Sequence, residues 1–157
     1  MPPKPATLED CFQRIGALMG GNPGALELIR DLHRISHVWD DLIDGDRHVT
    51  PQAINAAFIA ATVGLALNPF YQQNIRVIAP VMLTGILNWR AANAMEAAGE
   101  HLEIAHVIRC SLADVALLCA ALCMGHERAA EAAAELRVLF QQDELATYLA
   151  EHQGAAA

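Results

Sequence analysis

Aromatic side chains are scarce here: two Trp, two Tyr and four Phe make up 5% of the 157 residues. Together with short β-branched runs, that scarcity works against sheet, whose strands are enriched in both. Long apolar runs are missing as well. The longest, Ile54–Leu67 and Val77–Leu87, fall short of the ~20 residues a membrane span needs, so no span is expected. The start, Met1-Pro2-Pro3-Lys4-Pro5, lacks the apolar stretch of a signal peptide, and a cytoplasmic location is expected. Positive charge is in deficit: ten Lys and Arg against eighteen Asp and Glu leave −8. That argues against a nucleic-acid or anionic-membrane surface. Cys11, Cys110, Cys119 and Cys123 form no Cys-x-x-Cys pair and read as reduced thiols acting as small hydrophobes.

What is present is helix-forming. Hydrophobic residues are 54% of the chain and much of that is alanine, the strongest helix former and one that permits close packing. An all-α, single-domain bundle of about six to seven helices is expected over residues 7–152, with a disordered lead (1–6) and tail (153–157). Thr7 followed by Asp10 makes a capping signal. Asn22-Pro23, Thr50-Pro51 and Asn68-Pro69 each pair an N-cap with a proline at the first helical position. These predict helices over 7–20, 23–44, 51–67 and from 69 onward, with Pro80 either dividing or kinking the last. Gly45 is placed to end the second helix. A long apolar helix over about 100–124, another over 127–139 and a short segment over 143–152 complete the chain.

One stretch breaks the local rules. On a helix, His33, His37, Asp40 and Asp44 fall at i, i+4, i+7 and i+11 and form one stripe, with Asp41 at its edge. Trp39 points nearly the opposite way, with Leu32, Ile35, Leu42 and Ile43 as candidate core contacts. Asp40, Asp41, Asp44 and Asp46 crowd a helix C-terminus, where the macrodipole disfavours negative charge. Such violations concentrate at functional sites. A divalent cation is the simplest compensating charge.

A second polar stripe runs through Glu96, Glu100 and Glu103, with His106 beside it and Asp114 further along. Glu96 reads as a solvated face. Glu103-x-x-His106 has the spacing of carboxylate-bridged di-iron bundles, but in a single copy. Asp114 sits in an apolar run, where a carboxylate needs a partner: an arginine such as Arg76, Arg90 or Arg109, a helix N-terminus, or a metal. His48, His126 and His152 read as surface or capping residues.

The run His37-Val38-Trp39-Asp40-Asp41-Leu42-Ile43-Asp44-Gly45-Asp46-Arg47-His48-Val49-Thr50-Pro51 resembles the first aspartate-rich motif of isoprenoid (polyprenyl and terpenoid) synthases. That resemblance implies two or more Mg²⁺ ions on Asp40 and Asp44, assisted by Asp41, holding a small-molecule diphosphate that Arg47 contacts. Asp114 and Glu103 would contribute from a facing helix, His33 would help bind substrate, and His37 and Asp41 would handle protons. A weaker similarity is to the all-α nucleoside triphosphate pyrophosphohydrolases, through Asp41-x-x-Asp44 and Glu100-x-x-Glu103. Both share one chemistry, a diphosphate held by Mg²⁺ on helix carboxylates. The remaining alternative is a non-catalytic helical module. A homodimer is expected, with Val77–Leu87 and Leu112–Met124 as candidate interface faces.

Overall fold

Asn22, Thr50 and Asn68 each accept a hydrogen bond from the backbone N–H three residues on, and a proline follows each. The side chain satisfies a donor that the first turn leaves unpaired, and proline there has no N–H to lose. These caps start α2 (Pro23–Asp44), α3 (Pro51–Ile59) and, after a π-helical turn Ala60–Gly64 and the short α4 (Leu65–Leu67), α5 (Pro69–Ala98). Thr7 caps α1 (Leu8–Leu18) in the same way, and α6 (Leu102–Arg109), α7 (Leu112–Met124), α8 (His126–Phe140) and α9 (Leu145–Gln153) follow. The computed structural model describes residues 5–45, 47–141 and 144–153. Most of the expected disordered lead, the end of the tail (154–157) and Asp46 lie outside them. Within the described residues the chain is 86% helical without strand, an all-α single-domain bundle.

Two of the expected helices, 51–67 and 100–124, are divided. The helix from Pro51 passes into the π turn where it crosses α2, and Gly64 at its end lies against the buried carboxylate of Asp31. At Pro80, where the sequence leaves two helices or one open, α5 is one helix, with the proline at an exposed position. The expected 100–124 helix is divided at Cys110 and Ser111, with a 42° bend between α6 and α7. The Ser111 hydroxyl donates to the Ile108 carbonyl and accepts from Asn88 Nδ2 at 3.0 Å, which ties the break to α5.

The main core gathers Phe12, Ile15, Leu28, Ile29, Ile78, Cys119 and Leu136. α7 belongs to it: Ala113, Val115, Ala116, Cys119 and Ala120 are buried. Leu112–Met124 is therefore largely interior rather than an outer face. A smaller core under α9 joins Ala92, Leu102, Ala105 and Tyr148. Leu42 and Ile43, expected as core contacts, are exposed instead, because only the N-terminal half of α2 (Ala25 to Leu32) is packed inside. Among the described residues no single helix is long and apolar enough to cross a membrane.

Candidate functional site

The C-terminal half of α2 emerges from the core as one wall of a cleft of about 440 Å³, within the range of small-molecule sites. α5 and the end of α6 supply the facing wall, and α9 closes one end. His33, His37, Asp40, Asp41 and Asp44 line it from α2 and Arg47 from the following loop; Trp89, Glu96, His106, Arg109, Tyr148 and His152 also line it.

Its organising side chain is Arg109, the last residue of α6. One guanidinium nitrogen, Nη2, donates to Asp40 Oδ1 and to Asp44 Oδ2, both at 3.0 Å. The other, Nη1, donates to Glu96 Oε2 at 2.6 Å and Asn93 Oδ1 at 2.8 Å. The planar fork suits this arrangement, since it fixes several donors at once. Asp40 Oδ1 also accepts from Trp89 Nε1 at 2.6 Å, and Trp39 stacks against Trp89 with ring centroids 4.0 Å apart. Arg109 sits 5.9 Å from the Trp89 ring, in reach of a cation–π contact. The Tyr148 hydroxyl donates to Glu96. His33 and His37 stack one turn apart, centroids 4.1 Å.

Electrostatics follow from this packing. Burial pushes the Asp40 carboxyl above its ordinary range, against the pull of Arg109 and the Trp89 hydrogen bond. Burial also works against the charge on Arg109, but Glu96, Asp40 and Asp44 outweigh it and raise its affinity for the proton. Burial and the bond to Glu96 drive the Tyr148 hydroxyl upward. His33 is lowered to about 4 by burial and by the neighbouring His37 and Arg34, so it lines the cleft as a neutral imidazole.

That shift predicts a pH dependence. Unfolded His33 takes up a proton near its ordinary value of 6.5, whereas folded His33 resists until about 4. The unfolded chain therefore binds more protons between these values, and stability is lost as pH falls from 6.5 toward 4. Thermal unfolding at a series of pH values is expected to show the midpoint falling across this window less steeply in His33→Gln than in wild type. Taking the difference between the two proteins cancels the opposing contributions of Asp31 and Asp40. Parallel profiles would count against a neutral His33.

The two sequence stripes have different fates. The first is brought together whole, apart from Asp46, which lies outside the described residues. The second scatters. Gly99 and His101, both with positive φ, end α5 and turn the chain into α6, so Glu96 and Glu103 do not share a helix. Glu96 is not a solvated face: its side chain is 11% exposed, held between Arg109 and Tyr148. Glu100 and Glu103 are exposed and do not line the cleft, while His106 is buried against Gln141 and Tyr148. Asp114 is partly exposed and pairs with Arg137 of α8, outside the cleft. His152 is no surface residue: it is half-buried, stacked on Tyr148 with centroids 4.4 Å apart. Arg109 was in view only as a partner for Asp114. Its aspartate partners lie 65 and 69 residues away, and the hint to them was the uncompensated charge of the aspartates.

Among the described residues no group of three or more His, Cys, Asp or Glu stands at metal-holding spacing. Two carboxylate oxygens nevertheless converge on the single point that Arg109 Nη2 fills. A pair of hard oxygen donors fits Mg²⁺, which keeps several waters and takes further ligands from phosphates. Comparison with protein-family models, curated proteins and solved structures gave no match.

Proposed function

We propose that the cleft binds a small-molecule diphosphate as its Mg²⁺ complex. The observation behind this is that Asp40 and Asp44 each place an oxygen on the guanidinium of Arg109; turned from them toward the ligand, that arginine would neutralise phosphate oxygens and leave both carboxylates to the metal. The five carboxylates lining the cleft (Asp40, Asp41, Asp44, Glu96, Glu151) outnumber its two arginines. A bare polyanion would be repelled, so the metal has to accompany it. On this reading Asp40 and Asp44 supply oxygens to Mg²⁺, Asp41 assists, and Mg²⁺ contributes charge neutralisation on the diphosphate. Arg109 and the exposed Arg47 meet phosphate oxygens. His37 and Asp41 are the groups that would move a proton if the bound ester is turned over. The pyrophosphohydrolase-like alternative shares the metal and the diphosphate and differs in the group attached. We take the working unit to be a homodimer, its contact made by apolar surface rather than by the acidic cleft.

The test is thermal unfolding with and without Mg²⁺, alone and with prenyl diphosphates or nucleoside triphosphates. A ligand at 100 times its dissociation constant adds about 2.7 kcal/mol, which moves the midpoint of a chain this size by roughly 5–10 °C. An upward shift needing both Mg²⁺ and one ligand class, and absent in Asp44→Asn, is expected. The class that shifts identifies the substrate. No shift with any combination would refute the proposal and leave a non-catalytic helical module.

A further inference from the structure

α5 is long and largely apolar, yet of its thirty residues the buried ones are Phe70, Ile78 and Ala92. A helix apolar on most sides is ordinarily covered on most sides. Ile75, Ala79, Leu83, Ile86 and Leu87 fall at i, i+4, i+8, i+11 and i+12, a stripe distinct from the buried one. Leu83 and Leu87 are 57% and 53% exposed. The preceding limb, which meets α5 at 99°, adds Phe58 and Leu67 at 67% and 71%. Scattered exposed apolar residues need no explanation, but a contiguous stripe marks an interaction surface.

Among the described residues, ten of the eighteen large hydrophobic side chains left exposed lie between Ile54 and Leu87, so the uncovered apolar surface is concentrated on these two limbs. Charge points to the occupant. From Thr50 to Trp89 there is no Asp or Glu, and Arg76 is the one charged residue, in a chain of net charge −8. Two copies of so acidic a chain repel across most approaches, and this carboxylate-free stripe lets them meet. An apolar stripe is also self-complementary, as a two-fold contact between identical surfaces requires.

We infer that the exposed stripe of α5 is the surface on which a second copy of this chain docks. The inference is independent of what the cleft binds. Sedimentation velocity on the full chain over a range of concentrations tests it, alongside Leu83→Glu and Leu87→Glu. Wild type is expected at twice 16.9 kDa. Each variant is expected to dissociate at least about a hundredfold more readily, since the contact would bury an unpaired charge. Both substitutions sit in water in the single chain, so circular dichroism should be unchanged. A wild type that stays a single chain at every concentration overturns the inference. So does a dimer that survives both substitutions. Co-sedimentation of the single chain with neutral phosphatidylcholine vesicles would assign the stripe to lipid and overturn it equally.

Discussion

Arg109→Leu is expected to unfold roughly 5–10 °C below wild type, the largest loss for any single polar substitution in the cleft. The substitution leaves Asp40, Asp44 and Glu96 facing one another without a cation. Removing one partner of a fully buried ion pair costs about 3–5 kcal/mol. Here the arginine side chain is 23% exposed and the two aspartates about a third exposed, so solvent screening brings the expectation to about 2–3 kcal/mol. Two companions separate charge from packing. Arg109→Lys is expected to recover little, because one ammonium cannot reproduce a fork that reaches Asp40, Asp44, Glu96 and Asn93. Arg109→Leu with Asp44→Asn should be more stable than Arg109→Leu alone, since the second change relieves repulsion. Equal stabilities of wild type and Arg109→Leu in urea unfolding would show that the network does not hold α6 to α2.

The second large effect lies where α2 crosses the π turn. A Cβ on Gly64 would stand 2.6 Å from Asp31 Oδ2, closer than atoms pack. Asp31 Oδ1 accepts from Arg34 at 3.0 Å, so the carboxylate is tethered and yields with difficulty. Gly64→Ala is expected to cost about 2–3 kcal/mol as an overpacked contact. Burial raises the Asp31 carboxyl above its ordinary range, more than Arg34 lowers it, so the charge itself adds little stability. Asp31→Ala should then rescue Gly64→Ala, the double mutant being more stable than the Gly64→Ala single mutant. Strictly additive effects would mean that the two residues do not press on one another.

Legibility in the sequence tracks the range of the interaction. The capping pairs Asn22-Pro23, Thr50-Pro51 and Asn68-Pro69 act within three residues, so their helix starts were readable directly. Gly45 ends α2 in the left-handed conformation, another local signal. The aspartate cluster was readable because it violates the helix dipole at its own terminus. The identity of the compensating charge was not. Arg109 reaches Asp44 only because α6 stops at Cys110 and Ser111 locks the bend to α5, and helical periodicity holds no record of that bend. At Pro80 the sequence leaves two helices or one open, and the structure has the single helix, with the proline at an exposed position. Val77–Leu87 and Leu112–Met124 both read as candidate outer faces, yet Leu83 and Leu87 are exposed whereas the second segment is built into the core, because an apolar helix has one pattern whether the chain itself or a second copy covers it.

The central claim is that Asp40, Asp44 and Arg109 form one receptor for a metal-bound diphosphate. It is tested most directly by calorimetric titration of inorganic pyrophosphate into the protein, with Mg²⁺ and again with EDTA. Binding is expected only with Mg²⁺, and Asp44→Asn should weaken it by at least about tenfold, as removing a metal ligand does. Binding of equal strength in EDTA, binding unchanged in Asp44→Asn, or no binding to wild type with Mg²⁺ would each contradict the account.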